Sequence, residues 1–228
     1  MRRRPRGAGV GAALALLALA GGAPAHEPPP VPDPPAVMDF VPPAPGTYRL
    51  YDIMAAPDGV VLDLEGRRAR LARFTTGKIT VLSFIYTNCA DARGCPLAYQ
   101  VFHTMHDRLR EAPALRDHVR LVTLSFDPVH DTPAVMRRYA NGAIAERAPG
   151  VEWTFLTTGS PRELLPILDG FGQDVQIERR PRAGQALRLG HVLKVFLIDP
   201  RGMVREIYTT SYLFPDVVLN DIETLRRE

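Results

Sequence analysis

Residues Ile79 to Tyr86 read ITVLSFIY, a run of apolar, β-branched and aromatic residues with no charge and no regular apolar–polar alternation. A strand with one wet face has to alternate. A run that does not alternate belongs in the middle of a sheet that is covered on both faces. Such a sheet needs helices above and below, so this stretch points to an α/β protein. Two more runs of the same kind follow, HVRLVTLSFD (His118 to Asp127) and WTFLTT (Trp153 to Thr158).

Helix signals lie between these strands. Leu97, Val101, Met105 and Leu109 recur at helical spacing, and Pro96 suits a first turn, where no donor is missed. Asp131-Thr132-Pro133 opens another helix, with Thr132 as cap, Asp131 part of the same capping and Pro133 at the first position. A further helix opens at Ser160-Pro161. VLKVFLIDPRGMVREIY (Val192 to Tyr208) reads as two strands joined by a turn at Asp199-Pro200-Arg201-Gly202, and Pro215 to Arg227 as a closing helix. VVLDLEG (Val60 to Gly66) precedes all of these as a short strand turning at Gly66. The expected fold is an α/β sandwich. Its central mixed β-sheet is flanked by helices, carries an N-terminal β extension, and ends in two antiparallel strands.

The first 25 residues read as a signal peptide rather than as part of the fold. Arg2, Arg3, Arg4 and Arg6 form a basic start, Val10 to Ala20 a short apolar run, and Ala23-Pro24-Ala25 a small-residue cleavage site. The apolar run falls short of the roughly 20 residues of a spanning helix, so cleavage is expected and an uncleaved anchor is the alternative. Residues 26–47 read as a Pro-rich linker, either a semi-rigid spacer or a solvated tail. Residues 48–228 are the folded domain. Without the leader the chain carries 24 basic against 25 acidic residues, so the basic balance of the whole chain belongs to the leader. Nucleic-acid binding has no electrostatic footprint here. Export points to the periplasm, where a pair of thiols can oxidise.

The only two cysteines, Cys89 and Cys95, lie in SFIYTNCADARGCPLA, where the first central strand gives way to a helix. The carboxyl edge of such a sheet is where functional loops gather. A cysteine just ahead of a helix start is favoured as thiolate, which here applies to Cys95. Five residues separate the two, wider than the C-x-x-C of most redox pairs, but Gly94 is expected to turn the loop with positive φ so that the sulfurs could meet. A disulfide is feasible, and two thiolates gripping an ion from one side are equally feasible. Periodicity and spacing do not choose between them, since both roles want thiolates at a helix N-terminus.

Three ordered blocks resemble the Sco (SenC) family of exported, thioredoxin-like copper proteins. Phe84-Ile85-Tyr86-Thr87 before Cys89, closed by Cys95-Pro96, resembles F-x-Y-T followed by C-x-x-x-C-P. SFDPVHDTP (Ser125 to Pro133) resembles S-x-D-P-x-x-D-T-P, and His191 enters VLKVFLIDPRG where the family places its third metal ligand. This chain departs in having five residues between the cysteines instead of three, and Ala90 in place of the proline after the first. The resemblance implies a thioredoxin-like sandwich with one copper ion per chain, Cu(I) or Cu(II), held by Cys89, Cys95 and His191. It implies delivery of copper to the dinuclear copper site of cytochrome oxidase subunit II, or maintenance of the thiols there, with a thioredoxin-like reductant as a further partner. A periplasmic thiol–disulfide oxidoreductase cycling Cys89 and Cys95 is the rival reading. Peroxidase chemistry at the same pair, or a structural disulfide in a binding scaffold, are weaker ones.

The remaining candidates read more plainly. Asp127 is expected to end a strand. His103 and His106, three apart on a helix, are expected on a solvated face. His130 belongs to an exposed loop, and His26 would begin the mature chain with no other ligand nearby. Arg93, between the thiols, is either a solvated residue or a charge that lowers their pKa.

Overall fold

The structure is a computed structural model that describes residues 37–89, 91–144, 151–179 and 188–228. In chain order the elements are β1 (Met54–Ala55), β2 (Val60–Leu62), β3 (Arg68–Arg70), α1 (Ala72–Thr75), β4 (Ile79–Ile85), α2 (Cys95–Arg110), α3 (Pro113–Arg116), β5 (Val119–Ser125), α4 (Pro133–Ile144), β6 (Glu152–Leu156), α5 (Pro161–Phe171), β7 (Val175–Arg179), β8 (Arg188–His191), β9 (Val195–Ile198), β10 (Met203–Tyr208) and α6 (Pro215–Arg227).

Six strands make the central sheet, in the order β1-β10-β9-β4-β5-β6. The non-alternating runs occupy its middle, and every residue of β4, β5 and β9 is buried. β4 and β5 pair in parallel from Ile79↔Val119 to Ile85↔Ser125, and β6 continues the parallel set. Parallel neighbours need crossovers, which α2 and α4 supply. β9 runs antiparallel to β4 and to β10, as the turn at Asp199–Gly202 requires. Gly202 takes φ 81° there and its N–H donates to the Asp199 carbonyl at 2.9 Å. Phe84, Phe171 and Phe196 pack edge to face between sheet and helix, with centroids 4.8 to 5.9 Å apart. Each such fully buried side chain stabilises the fold by ~2–3 kcal/mol.

The N-terminal β extension is present. β1 adds to the sheet edge beside β10, and β2 pairs with β3 as a separate hairpin. A second hairpin, β7–β8, was not expected from the sequence. Its strands are only five and four residues long, and the alternation of Val175 to Glu178 is too brief a signal beside the longer apolar runs. The expected helix starts hold. Ser160 Oγ accepts from Glu163 N–H at 3.3 Å, and Thr132 Oγ1 from Val135 N–H at 3.4 Å. Part of the Pro-rich stretch lies against the domain: Phe40 packs on Tyr212 and Phe214, and Asn220 donates to the Pro43 carbonyl at 2.9 Å. The expected leader, residues 1–25, and His26 lie outside the described residues. Among the described residues no helix is long and apolar enough to cross a membrane.

Candidate metal centre

The parallel β4–β5 pair ends at Ile85 and Ser125, and the chain leaves both strands on the same edge. Cys89 lies in the loop after β4, and Cys95 is the first residue of α2 with Pro96 behind it. His191 ends β8, and the β7–β8 hairpin carries it back over that edge. Cys95 Sγ stands 3.6 Å from His191 Nε2. Donor atoms of Cys89, Cys95 and His191 all lie within 4.8 Å of one another, the only such trio among the described residues. The five-residue loop therefore does not spread the sulfurs. Gly94 takes φ −97° rather than the expected positive φ, and what it contributes is room: a Cβ there would stand 3.3 Å from Cys89 Sγ and from the Asp91 carbonyl.

Both cysteines are free thiols, with Cys95 buried and Cys89 half-buried. They act as one acid pair. The Cys95 thiol donates to Cys89 Sγ, with His191 and the backbone N–H groups of Asp91 and Cys95 adding further bonds, and these hold Cys89 well below the usual thiol range. The same contact with Cys89, then burial, pushes Cys95 far up. The helix start was expected to favour Cys95 as thiolate; the structure puts the thiolate on Cys89. The bond to Cys89, with burial behind it, outweighs the partial charge of the helix end. Arg93 is exposed, and hydrogen bonds rather than its charge lead the shift on Cys89.

Aromatic rings close the site from inside. Phe126 lies 4.7 Å from the His191 ring and Tyr86 6.3 Å, centroid to centroid. Burial and the facing thiolate of Cys89 push Tyr86 up to about 12. His191 Nδ1 is buried with no hydrogen-bond partner among the described residues. Outside the trio a cleft of about 300 Å³ opens between the loop Asp91–Gly94, His191 and Thr210–Ser211. A larger cleft, about 520 Å³, lies between the β2–β3 hairpin and β6 and contains none of the three donors.

Asp131 was expected to help cap α4, but that bond is made by Thr132, and the Asp131 carboxylate faces the other way. Fully buried, it accepts from Thr87 N–H at 3.0 Å, Thr87 Oγ1 at 2.5 Å and Ser125 Oγ at 2.6 Å. It thus ties the loop that carries Cys89 to the loop after β5. The signal was present in the sequence, since Thr87, Ser125 and Asp131 all fall within the quoted blocks, but nothing in a linear reading links a threonine to a carboxylate 44 positions away. Asp127 lies two residues past the end of β5 at Ser125, buried, with its N–H on Ser125 Oγ at 3.0 Å. His130 is exposed, as expected. His103 and His106 do not form a solvated face. Their rings lie 5.0 and 6.0 Å from Trp153, and Tyr99 sits 4.4 Å from His103. The polar-looking helix face is covered because Trp153 projects from β6 onto it.

A thioredoxin-like sandwich with two thiols and an imidazole gathered at the carboxyl edge of its sheet defines a class of protein whose chemistry is soft-metal or thiol chemistry. The SCO1/SenC family model matches residues 60–227, and this chain belongs to that family. No curated protein matches it by sequence. Solved structures share the fold. Arabidopsis thaliana ScoI, determined with copper bound, is 21% identical and superposes with a TM-score of 0.62 over 76% of this chain and 99% of that one. Apo Sco1 from Thermus thermophilus is 24% identical, with a TM-score of 0.59 over 78% and 98% of the two chains. BsSco, a member of the Sco family of cytochrome c oxidase assembly proteins with an identified disulfide switch, is 22% identical, with a TM-score of 0.56 over 78% and 96%.

Proposed function

We propose that this chain is an exported copper metallochaperone that holds one copper ion between Cys89, Cys95 and His191 and passes it to a copper-accepting protein. The observation that carries the reading is the convergence, within 4.8 Å, of two sulfurs from one loop and helix start with an imidazole 96 positions beyond Cys95. Thiolates suit Cu(I), and an imidazole beside them lets the same site take Cu(II). Three protein donors leave a position free for the acceptor's own ligand, so the ion can move by exchange without passing through water. Metal binding needs deprotonated thiols, and Cys89, already held below the usual thiol range, gives up its proton first, while His191 Nε2 faces Cys95 Sγ.

Family membership and relatives named as cytochrome c oxidase assembly proteins support an oxidase as the acceptor, and the dinuclear copper site of subunit II is the acceptor we propose. A thioredoxin-like reductant would keep Cys89 and Cys95 reduced. Residues 1–25 act as the export leader, residues 26–47 as the linker, and residues 48–228 as the domain, working in the periplasm. The test is a titration of the reduced protein with Cu(I) and Cu(II), beside His191→Ala and Cys89→Ser. One equivalent is expected, with a thiolate-to-Cu(II) absorption band lost in both variants.

The thiol pair itself favours one alternative, dithiol–disulfide exchange, since the Cys95 thiol already donates to Cys89 Sγ. In that reaction two thiols lose two electrons and two protons to an acceptor disulfide. His191 has no part in it, so a His191→Ala variant that exchanges normally while the wild type binds no copper would select it.

A further inference from the structure

We propose that Asp91, in the loop between the cysteines, is the copper entry residue: its carboxylate meets the incoming cation at the mouth of the site and passes it to Cys89. The inference rests on the copper-binding reading above and adds a route to it.

Asp91 is exposed and lines the same 300 Å³ cleft as His191 and Gly94. The point where a Gly94 Cβ would stand is 3.3 Å from Cys89 Sγ and 3.4 Å from Asp91 Oδ2, so sulfur and carboxylate oxygen flank one small gap that only a glycine leaves open. The loop is held in this shape. Gly94 N–H donates to the Asp91 carbonyl at 2.9 Å, and Arg93 N–H to Asp91 Oδ1 at 3.0 Å. The backbone N–H of Asp91 points the other way, to Cys89 Sγ. One residue thus supports the thiolate with its main chain and presents a charge to the mouth with its side chain. Asp91 does not join the trio of mutually close donors, so its place is outside the ligand set.

The chemistry of an entry group follows. A carboxylate oxygen binds Cu(II) far better than the softer Cu(I). At Asp91 a bond from copper to Oδ2 forms as a bond from copper to water breaks. A bond to Cys89 Sγ then forms as the Oδ2 bond breaks. The oxidation state is unchanged and no electrons move. A negative charge at the mouth of a cleft also raises the local concentration of a cation, an effect that salt weakens.

The experiment mixes the reduced full-length chain with weakly chelated Cu(II) in a stopped-flow instrument and follows the thiolate-to-Cu(II) absorption. Asp91→Asn keeps the acceptor oxygen for Arg93 N–H and removes the charge and the second oxygen, and is expected to slow entry about three- to tenfold. Asp91→Glu is expected to stay within about twofold of wild type, because the charge is kept. Cu(I) affinity, measured by competition with a chelator, is expected to be the same in all three. Equal entry rates for wild type and Asp91→Asn overturn the proposal. So does a loss of Cu(I) affinity in Asp91→Asn, which would make Asp91 a permanent ligand. Should Asp91→Asn misfold by circular dichroism, the wild-type rate alone decides, since a rate indifferent to ionic strength overturns the proposal equally. A wild type that binds no Cu(II) at all removes the copper-binding reading itself, a different failure.

Discussion

The carboxylate of Asp131 is the best-defined hub outside the thiols, and replacing it tests how the site is held. Asp131→Ala removes the acceptor for three groups: Thr87 N–H, Thr87 Oγ1 and Ser125 Oγ. Hydrogen bonds to a charged acceptor contribute ~1.5–3 kcal/mol each, and burying the carboxylate subtracts part of that sum. The alanine also leaves the half-buried Thr87 N–H without this partner and opens a cavity where the buried carboxylate stood. The expected net loss is about 3–5 kcal/mol. For a chain of this size, with a urea slope near 2 kcal/mol/M, the unfolding midpoint should fall by about 1.5–2.5 M. Asp131→Asn keeps one acceptor oxygen and should cost about 1–2 kcal/mol. Its effect on the site should be larger than its effect on stability, because Thr87 lies two residues before Cys89. The thiolate-to-Cu(II) band should shift and copper should leave faster at full folding. The assay is equilibrium urea unfolding by Trp153 fluorescence, paired with chelator-driven copper release. A loss below about 1 kcal/mol for Asp131→Ala would show that the three bonds are replaced by water and that the hub reasoning is wrong.

Other perturbations should behave as follows. Gly94→Ala places a Cβ 3.3 Å from Cys89 Sγ, so copper affinity should drop while the fold survives, read by chelator competition; unchanged affinity would mean the loop relaxes freely. Because Cys89 is held below the usual thiol range and Cys95 above it, alkylation of the metal-free protein at pH 6 should mark Cys89 first, as peptide mass mapping would show. Burial raises Asp221 above the ordinary carboxylate value despite bonds from Tyr208 and Tyr48. A raised acid is stabilising while protonated and loses that contribution as pH climbs through its folded pKa, so wild type should lose stability relative to Asp221→Asn between about pH 4 and 7, by urea melts at both ends. Phe40→Ala, which strips the ring from Tyr212 and Phe214, should lower the melting temperature by a few degrees, a shift a solvated tail would not produce.

The sheet was largely legible before any coordinates. Ile79–Ile85 and Val119–Ser125 have no wet side to encode, so their patterns state their position in the middle of a covered sheet. Proline, serine and threonine at helix starts act within one turn, so Pro161 and Pro215 open helices where a linear reading puts them. The β7–β8 hairpin was not legible, because the alternation of Val175-Gln176-Ile177-Glu178 is brief, β8 has a glycine between Leu189 and His191, and both strands take their place from what they cover. The covering of His103 and His106 by Trp153 is a contact between α2 and β6 across some 50 residues, and nothing local records it.

Sequence by itself determined which residues carry the chemistry: two thiols and a histidine in blocks whose order identifies the family. Tertiary structure decided how they are used. It closed a loop that looked too wide: the donor atoms of Cys89, Cys95 and His191 come within 4.8 Å of one another, and Gly94 leaves room beside Cys89 Sγ. It placed the thiolate on Cys89 rather than Cys95, because a charge settles where donors and water reach it and not where burial is deepest. And it turned Asp131 from a helix residue into the tie between two loops. Residue type and short-range pattern are properties of the chain. Distance, burial and the sharing of a proton are properties of groups that meet only once the chain has folded.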